Sequence, residues 1–282
     1  MKLLRYGPKG QEKPGVVDAE GNIRDLSTHI DDIAGDALSD ASLARLRAID
    51  PATLPVVHGE PRIGACVGRV GKMVCIGLNY ADHAAESNMP IPSEPVVFNK
   101  WTSAIVGPND DIEIPRGSKK TDWEVELGVV IGRPCKYVEE ANALDYVAGF
   151  CIINDVSERE WQIERGGQWD KGKGFDTFGP LGPWLVTRDE IADPQQLHLW
   201  LEVDGHRYQN GNTRTMIFTV AKLVSYLSQC MSLQPGDVIS TGTPPGVGLG
   251  IKPEPVYLKA GQTIRLGIEG LGEQRQRTVA AE

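Results

Sequence analysis

The chain has 282 residues, 40% hydrophobic and 24% charged, with a formal net charge of −9. That length supports one large domain or a small domain beside a larger one, and the acidic balance excludes non-specific binding to nucleic acid or to an anionic membrane. The five cysteines include no C-x-x-C pair, which predicts buried reduced thiols and a cytoplasmic location; no cleavable leader is read at the start, and no apolar run approaches the roughly 18 residues of a membrane helix.

In chain order, residues 2–6 and 15–18 read as short strands separated by turn residues at 19–22. Residues 41–49 form an amphipathic helix with Leu43, Leu46 and Ile49 on one side. The Gly- and Pro-containing stretch 55–71 marks a boundary, giving a small accessory domain over residues 1–68 and a larger one over 69–282. Short apolar runs then recur as strands at 74–77, 96–99, 123–131, 147–153, 184–186, 197–203, 238–240 and 264–268. Two helices interrupt them. One spans 157–165, capped by Ser157. The other spans 217–231, where Ile217, Val220, Ala221, Val224, Leu227 and Met231 form a core-facing stripe. The mosaic predicts an α+β chain, mainly β. No Rossmann or P-loop fingerprint is present.

Residues 122–131, Asp-Trp-Glu-Val-Glu-Leu-Gly-Val-Val-Ile, carry the chemistry. Trp123, Val125, Leu127, Val129 and Ile131 share one apolar strand face, so Glu124 and Glu126 share the other, with Cα atoms roughly 6.5–7 Å apart. Two like charges on an apolar strand repel, and a divalent cation is the simplest compensation. The apolar run 150–154 ends abruptly at Asp155, a third hard oxygen donor suited to Mg²⁺ or Mn²⁺. For an isolated E-x-E, a solvated strand face is the commoner outcome.

Three further segments accompany it. Residues 74–86 read as a strand, a Gly-Leu-Asn turn and a short helix in which His83 and Glu86, three apart, can meet. A carboxylate beside an imidazole orients it as a general base, although such pairs are also common on exposed helices. Residues 169–183 are too rich in Gly and Pro for helix; if extended, they place Lys171 and Lys173 on one side, where a lysine could stabilise an oxyanion. Residues 236–248 run from a strand into a turn whose amides and hydroxyls could hold a carboxylate, or simply form a tight Gly/Pro turn.

These segments, in this order, resemble the fumarylacetoacetate hydrolase family over roughly residues 70–270. The carriers are Gly77-x-Asn79-Tyr80-x-x-His83-x-x-Glu86, Glu124-x-Glu126, Asn154-Asp155, Lys173-Gly174-Phe175-Asp176-Thr177-Phe178 and Thr241-Gly242-Thr243-Pro244-x-Gly246-Val247-Gly248. The similarity is greatest to bacterial hydrolases of 2,4-diketo-3-deoxy sugar acids such as the rhamnonate and fuconate derivatives, some of which carry the name ureidoglycolate lyase. The resemblance implies a mixed β-roll or sandwich behind a small N-terminal domain, and assembly as a homodimer or homotetramer. It implies that Glu124, Glu126 and Asp155 bind Mg²⁺ (or Mn²⁺) and that His83, Glu86 and Lys173 are catalytic. It also implies that Thr243 holds the substrate carboxylate, with Lys171 and Thr177 as further substrate residues. Many relatives carry Arg where this chain has Leu78, which fits a neutral substrate tail better than a second anionic group. Trp101 is open between the tail pocket and the core.

The implied reaction is hydrolysis of the C3–C4 bond of a 2,4-diketo acid to pyruvate and a second carboxylic acid, lactate if the substrate is a 6-deoxy sugar acid. His83 would activate water, and the metal and Lys173 would stabilise the pyruvate enolate. Oxaloacetate decarboxylation and keto–enol isomerisation use the same metal–enolate chemistry. A keto-acid-binding protein without turnover is the alternative of another class.

Overall fold

The computed structural model describes residues 1–82 and 90–282, and short strands carry most of it. The first segment forms β1 (Lys2–Tyr6), β2 (Lys13–Val17), β3 (Ile23–Asp25) and helix α1 (Asp40–Arg47). There follow β4 (Met73–Gly77), β5 (Val96–Lys100), β6 (Ile105–Val106), β7 (Ile112–Ile114), β8 (Thr121–Asp122), β9 (Val125–Ile131), β10 (Val147–Asn154) and β11 (Ser157–Glu158). The one-turn helix α2 (Asp170–Lys173) leads to β12 (Gly179–Thr187), β13 (His198–Val203) and β14 (His206–Asn212). Helix α3 (Val220–Cys230) precedes β15 (Val238–Ser240), β16 (Thr263–Ile268) and β17 (Gly272–Ala280).

Ten strands share one mixed sheet in the order β3-β2-β1-β12-β10-β9-β15-β4-β5, with β6 parallel to β12. Five more form a second sheet, β14-β13-β16-β17-β7. The large sheet is open at β3 and β5, so no closed barrel forms. Strands β1–β3 continue it directly, because Lys2 and Leu3 pair with Val186 and Leu185 of β12.

Strand β9 lies between β10 and β15 and is buried along its whole length. Its Val125, Leu127, Val129 and Ile131 enter a core shared with Leu199 and Leu201 of β13, Ile264 and Leu266 of β16, and the Val220, Leu223, Val224 and Leu227 stripe of α3. On its other face Val130 packs with Leu3, Val16 and Leu38 from the first segment. Nearer the start of β9 the same face carries Glu126, then Glu124 just before the strand, and there it borders a cavity instead. The alternation of one strand thus buries apolar side chains below and delivers two carboxylates above.

Two local expectations fail for physical reasons. The predicted helix over 157–165 begins as β11, which pairs Ser157 with Asp122, and only then turns π-helical over Glu160–Glu164. The Ser157 hydroxyl donates to the Asp155 carbonyl at 2.9 Å rather than capping a helix. Residues 170–173, expected to be extended, form α2. In a helix, positions two apart point to different sides, so Lys171 and Lys173 part company.

Candidate active site

Asp155 follows β10 directly, and the Asp155 N–H donates to the Glu124 carbonyl at 2.9 Å. The entrance to β9 is pinned by two side-chain amides. Asn154 Oδ1 accepts from the Glu124 N–H at 3.2 Å, and Gln209 Oε1 accepts from the Val125 N–H at 2.9 Å. Glu124, Glu126 and Asp155 therefore converge, each buried, each offering a carboxylate oxygen within 4.8 Å of the others.

The three acids are compensated unequally. Lys173 Nζ donates to Glu124 Oε2 and Asp155 Oδ2, both at 2.9 Å. Arg159 Nη2 donates to Glu124 Oε1 at 2.6 Å, and the fully buried Lys100 donates to Asp155 Oδ1 at 2.6 Å. Among the described residues Glu126 has only neutral donors: the Ser240 hydroxyl at 2.5 Å and the Gly242 N–H at 2.8 Å, both on Oε2. Its Oε1 accepts from no described residue. Burial, then Asp155 and Glu124, push the Glu126 carboxyl well above the usual range. Burial opposes ionisation of Glu124 too, but Lys173 and Arg159 prevail and hold it at about 2. Burial likewise works against the Lys173 charge, and Asp155 and Glu124 outweigh it, keeping the ammonium above its ordinary value. The donor set fits a hard divalent cation: three carboxylates around one point, with a free oxygen on the acid that lacks a cation.

The turn after β15 does hold a carboxylate, but it is the protein's own Glu126. Gly242 has φ +95°, and a Cβ there would lie 2.8 Å from the Asn79 Cβ. Asn79 ties this turn to the one after β4, donating to the Thr241 carbonyl at 2.8 Å and accepting from the Phe218 N–H at 2.8 Å. The Thr243 hydroxyl donates to the Val125 carbonyl at 2.8 Å and accepts from Gln209 at 2.7 Å. What Thr243 offers a ligand is its N–H, which donates to no described residue.

Glu124 and Glu126 open into a cavity of about 400 Å³ that Arg159, Lys173 and Thr243 also line. Leu78 also lines it, with φ +54°. Lys171 and Thr177 do not: the Lys171 ammonium donates to the Arg165 carbonyl, and the Thr177 hydroxyl accepts from the Glu113 N–H at 2.9 Å. Trp101 is 53% exposed and packs on Gly174 outside the cavity. His83 and Glu86 lie outside the described residues.

Sequence inspection missed Asp122, Arg159, Gln162 and Lys100. Asp122, fully buried, accepts from Arg159 Nε at 2.8 Å and from the Gly248 and Leu249 amides at 2.6 and 3.0 Å. Arg159 Nη1 donates to Gln162 Oε1 at 2.9 Å. Lys100 carried a signal: it alternates with the buried Phe98 on β5, so it points inward.

A family model described as fumarylacetoacetate (FAA) hydrolase C-terminal matches residues 72–279. A Burkholderia multivorans protein provisionally named a hydrolase is 81% identical over the full length of both chains. Among solved structures, 2-hydroxyhepta-2,4-diene-1,7-dioate isomerase from Mycobacterium marinum is 34% identical with a TM-score of 0.74, covering 99% of this chain and 98% of its own. Maleylpyruvate hydrolase from Sphingobium sp. SYK-6, solved with manganese(II) and pyruvate, is 28% identical with a TM-score of 0.81, covering 100% of both chains.

Proposed function

The chain belongs to the fumarylacetoacetate hydrolase family, and from that premise we propose that it is a metal-dependent hydrolase that cleaves the C3–C4 bond of a 2,4-diketo acid to pyruvate and a second carboxylic acid. The observation that carries this is the buried Glu124, Glu126 and Asp155 cluster, of which Glu124 and Glu126 line the cavity, with the Lys173 ammonium bonded to two of its members. Bound there, Mg²⁺ or Mn²⁺ would supply Lewis-acid polarisation of the substrate's 2-oxo group. The Sphingobium maleylpyruvate hydrolase holds a manganese ion and pyruvate together, the pair this reaction requires.

The remaining work falls to the chain. Water adds at C4; the C3–C4 electron pair passes to C3 as the enolate of pyruvate, which takes up a proton. Lys173 offsets the charge that collects on the enolate oxygen. The Thr243 N–H would receive the substrate carboxylate. Arg159, locked by Asp122, Glu124 and Gln162, keeps the Glu124 carboxylate in position. His83, oriented by Glu86, is assigned on sequence spacing as the base that takes the proton of water.

Sugar-acid tails, which the sequence resemblance suggests, are the less favoured members of this class, because the cavity wall beyond the acids is largely apolar. The isomerase among the structural neighbours supports a second reading, keto–enol isomerisation with the same acids and lysine. The proposal includes a cytoplasmic location, supported by five free cysteines, and a homodimer or homotetramer. No described helix is long and apolar enough to cross a membrane. Product analysis tests the reaction: acetylpyruvate with Mg²⁺ should yield acetate and pyruvate in equal amounts. Interconversion of the keto and enol forms faster than the uncatalysed rate, followed by ultraviolet absorbance, with no cleavage would replace hydrolysis with isomerisation.

A further inference from the structure

The cavity lining has two chemically distinct parts. Of its five charged residues, Glu124, Glu126, Arg159 and Lys173 belong to the interlocked cluster, and the fifth, Lys252, is exposed to solvent. The largely apolar remainder of the lining includes Leu78, Phe98, Ile163, Trp169, Val247 and Leu249.

That apolar part is continuous with the cluster. The Lys173 N–H donates to the Trp169 carbonyl at 3.1 Å, so the two side chains stand one helical turn apart on the same side. Phe98 bridges them, with its ring centroid 5.0 Å from Lys173 Nζ and 5.4 Å from the Trp169 ring. Gly77 makes room for the indole: a Cβ at that position would come within 2.4 Å of Trp169 Cζ3.

Two of the polar side-chain atoms in the lining are already engaged. Gln162 Oε1 accepts from Arg159, and the Thr243 hydroxyl is used both as donor and as acceptor. Against Leu78, Phe98, Ile163, Val247 and Leu249 a hydroxylated tail would lose its water without gaining partners, whereas an apolar tail gains by burial. Resting on the proposed C–C hydrolysis, we infer that the substrate beyond C4 ends in an uncharged apolar acyl group, alkyl or aryl, that lies against Phe98 and Trp169, and that Trp169 sets the tail specificity.

The test compares four 2,4-diketo acids that differ only in their tails. They are acetylpyruvate, 2,4-dioxo-4-phenylbutanoate, a 2,4-diketo-3-deoxy-rhamnonate and 2,4-dioxoheptanedioate, assayed for pyruvate release by wild type and Trp169→Leu with Mn²⁺. The phenyl tail should exceed the methyl tail in kcat/KM by about tenfold or more, since tail discrimination in apolar pockets has that scale. It should also exceed the hydroxylated and carboxylate tails. Trp169→Leu should collapse the phenyl-to-methyl ratio by a similar factor. A preference for the hydroxylated or carboxylate tail, or an unchanged ratio in the variant, overturns the inference. Quenching of indole fluorescence ranks binding of the same acids without turnover. If no acid is cleaved but the phenyl tail binds tightest, the hydrolase proposal fails and the tail inference stands; equal binding of all four tails sinks it.

Discussion

Glu124 and Glu126 stand two residues apart on one side of a strand and are held by opposite means. Glu124 lies between the Arg159 guanidinium at 2.6 Å and the Lys173 ammonium at 2.9 Å, while Glu126 meets, among the described residues, only a hydroxyl and an amide. Their ionisation diverges accordingly, Glu124 held at about 2 and Glu126 pushed well up by burial and by its acidic neighbours. A cation is therefore needed most at Glu126. Glu126→Gln should abolish divalent-cation binding in a calorimetric titration, yet leave the thermal midpoint of the metal-free protein unchanged or higher, because the repulsion is gone.

Lys100, which does not line the cavity, neutralises Asp155 with no exposed surface on either partner. Removing one member of a buried ion pair leaves an uncompensated charge, at a cost of about 3–5 kcal/mol. Lys100→Met should lower the urea midpoint of the metal-free protein by a matching amount. Saturating Mn²⁺ should recover part of it.

Arg159 makes three directed contacts, to Asp122, Glu124 and Gln162, which a lysine cannot reproduce. Losing one or two charge-assisted hydrogen bonds costs about 1.5–3 kcal/mol, so Arg159→Lys should lower kcat/KM by roughly 10- to 100-fold, at about 1.4 kcal/mol per decade. Steady-state kinetics on acetylpyruvate checks this.

His83→Ala should retain cation binding and lose rate by on the order of 10²–10⁴, as for removal of a general base. Full activity in that variant would reassign the base.

Asp18 closes the turn between β2 and β3, accepting from Arg24 at 2.6 Å and from the Asn22 N–H at 2.7 Å. Burial opposes its charge, but Arg24 and Asn22 outweigh it and hold the carboxyl at about 2. A depressed folded-state value stabilises the protein above the unfolded value near 3.9 and is lost as pH falls toward 2. The urea midpoint should drop more steeply between pH 5 and 2 in wild type than in Asp18→Asn.

The central strand and its acids were legible in the sequence because period-2 alternation assigns faces without tertiary information. The stripe of α3 was legible for the same kind of reason, at period 3.6. From the residues alone Lys171 and Lys173 share one side of an extended segment, and only the family resemblance ranks Lys173 as catalytic. Only the helical turn at 170–173, stabilised by the Gly174 N–H on the Asp170 carbonyl at 2.8 Å, separates their directions. Arg159 and Asp122 lie 37 residues apart and meet through the pairing of β11 with β8, two strands too short to leave a periodic trace. Cross-strand partners of that kind are set by register, which local composition does not encode.

The most direct test follows pyruvate release from acetylpyruvate as Mn²⁺ is titrated into metal-free wild type and Asp155→Asn. The expected result is a saturable rise from baseline in wild type and none in the variant at any Mn²⁺ concentration. Undiminished release from wild type in excess chelator would contradict a metal-dependent site at Glu124, Glu126 and Asp155.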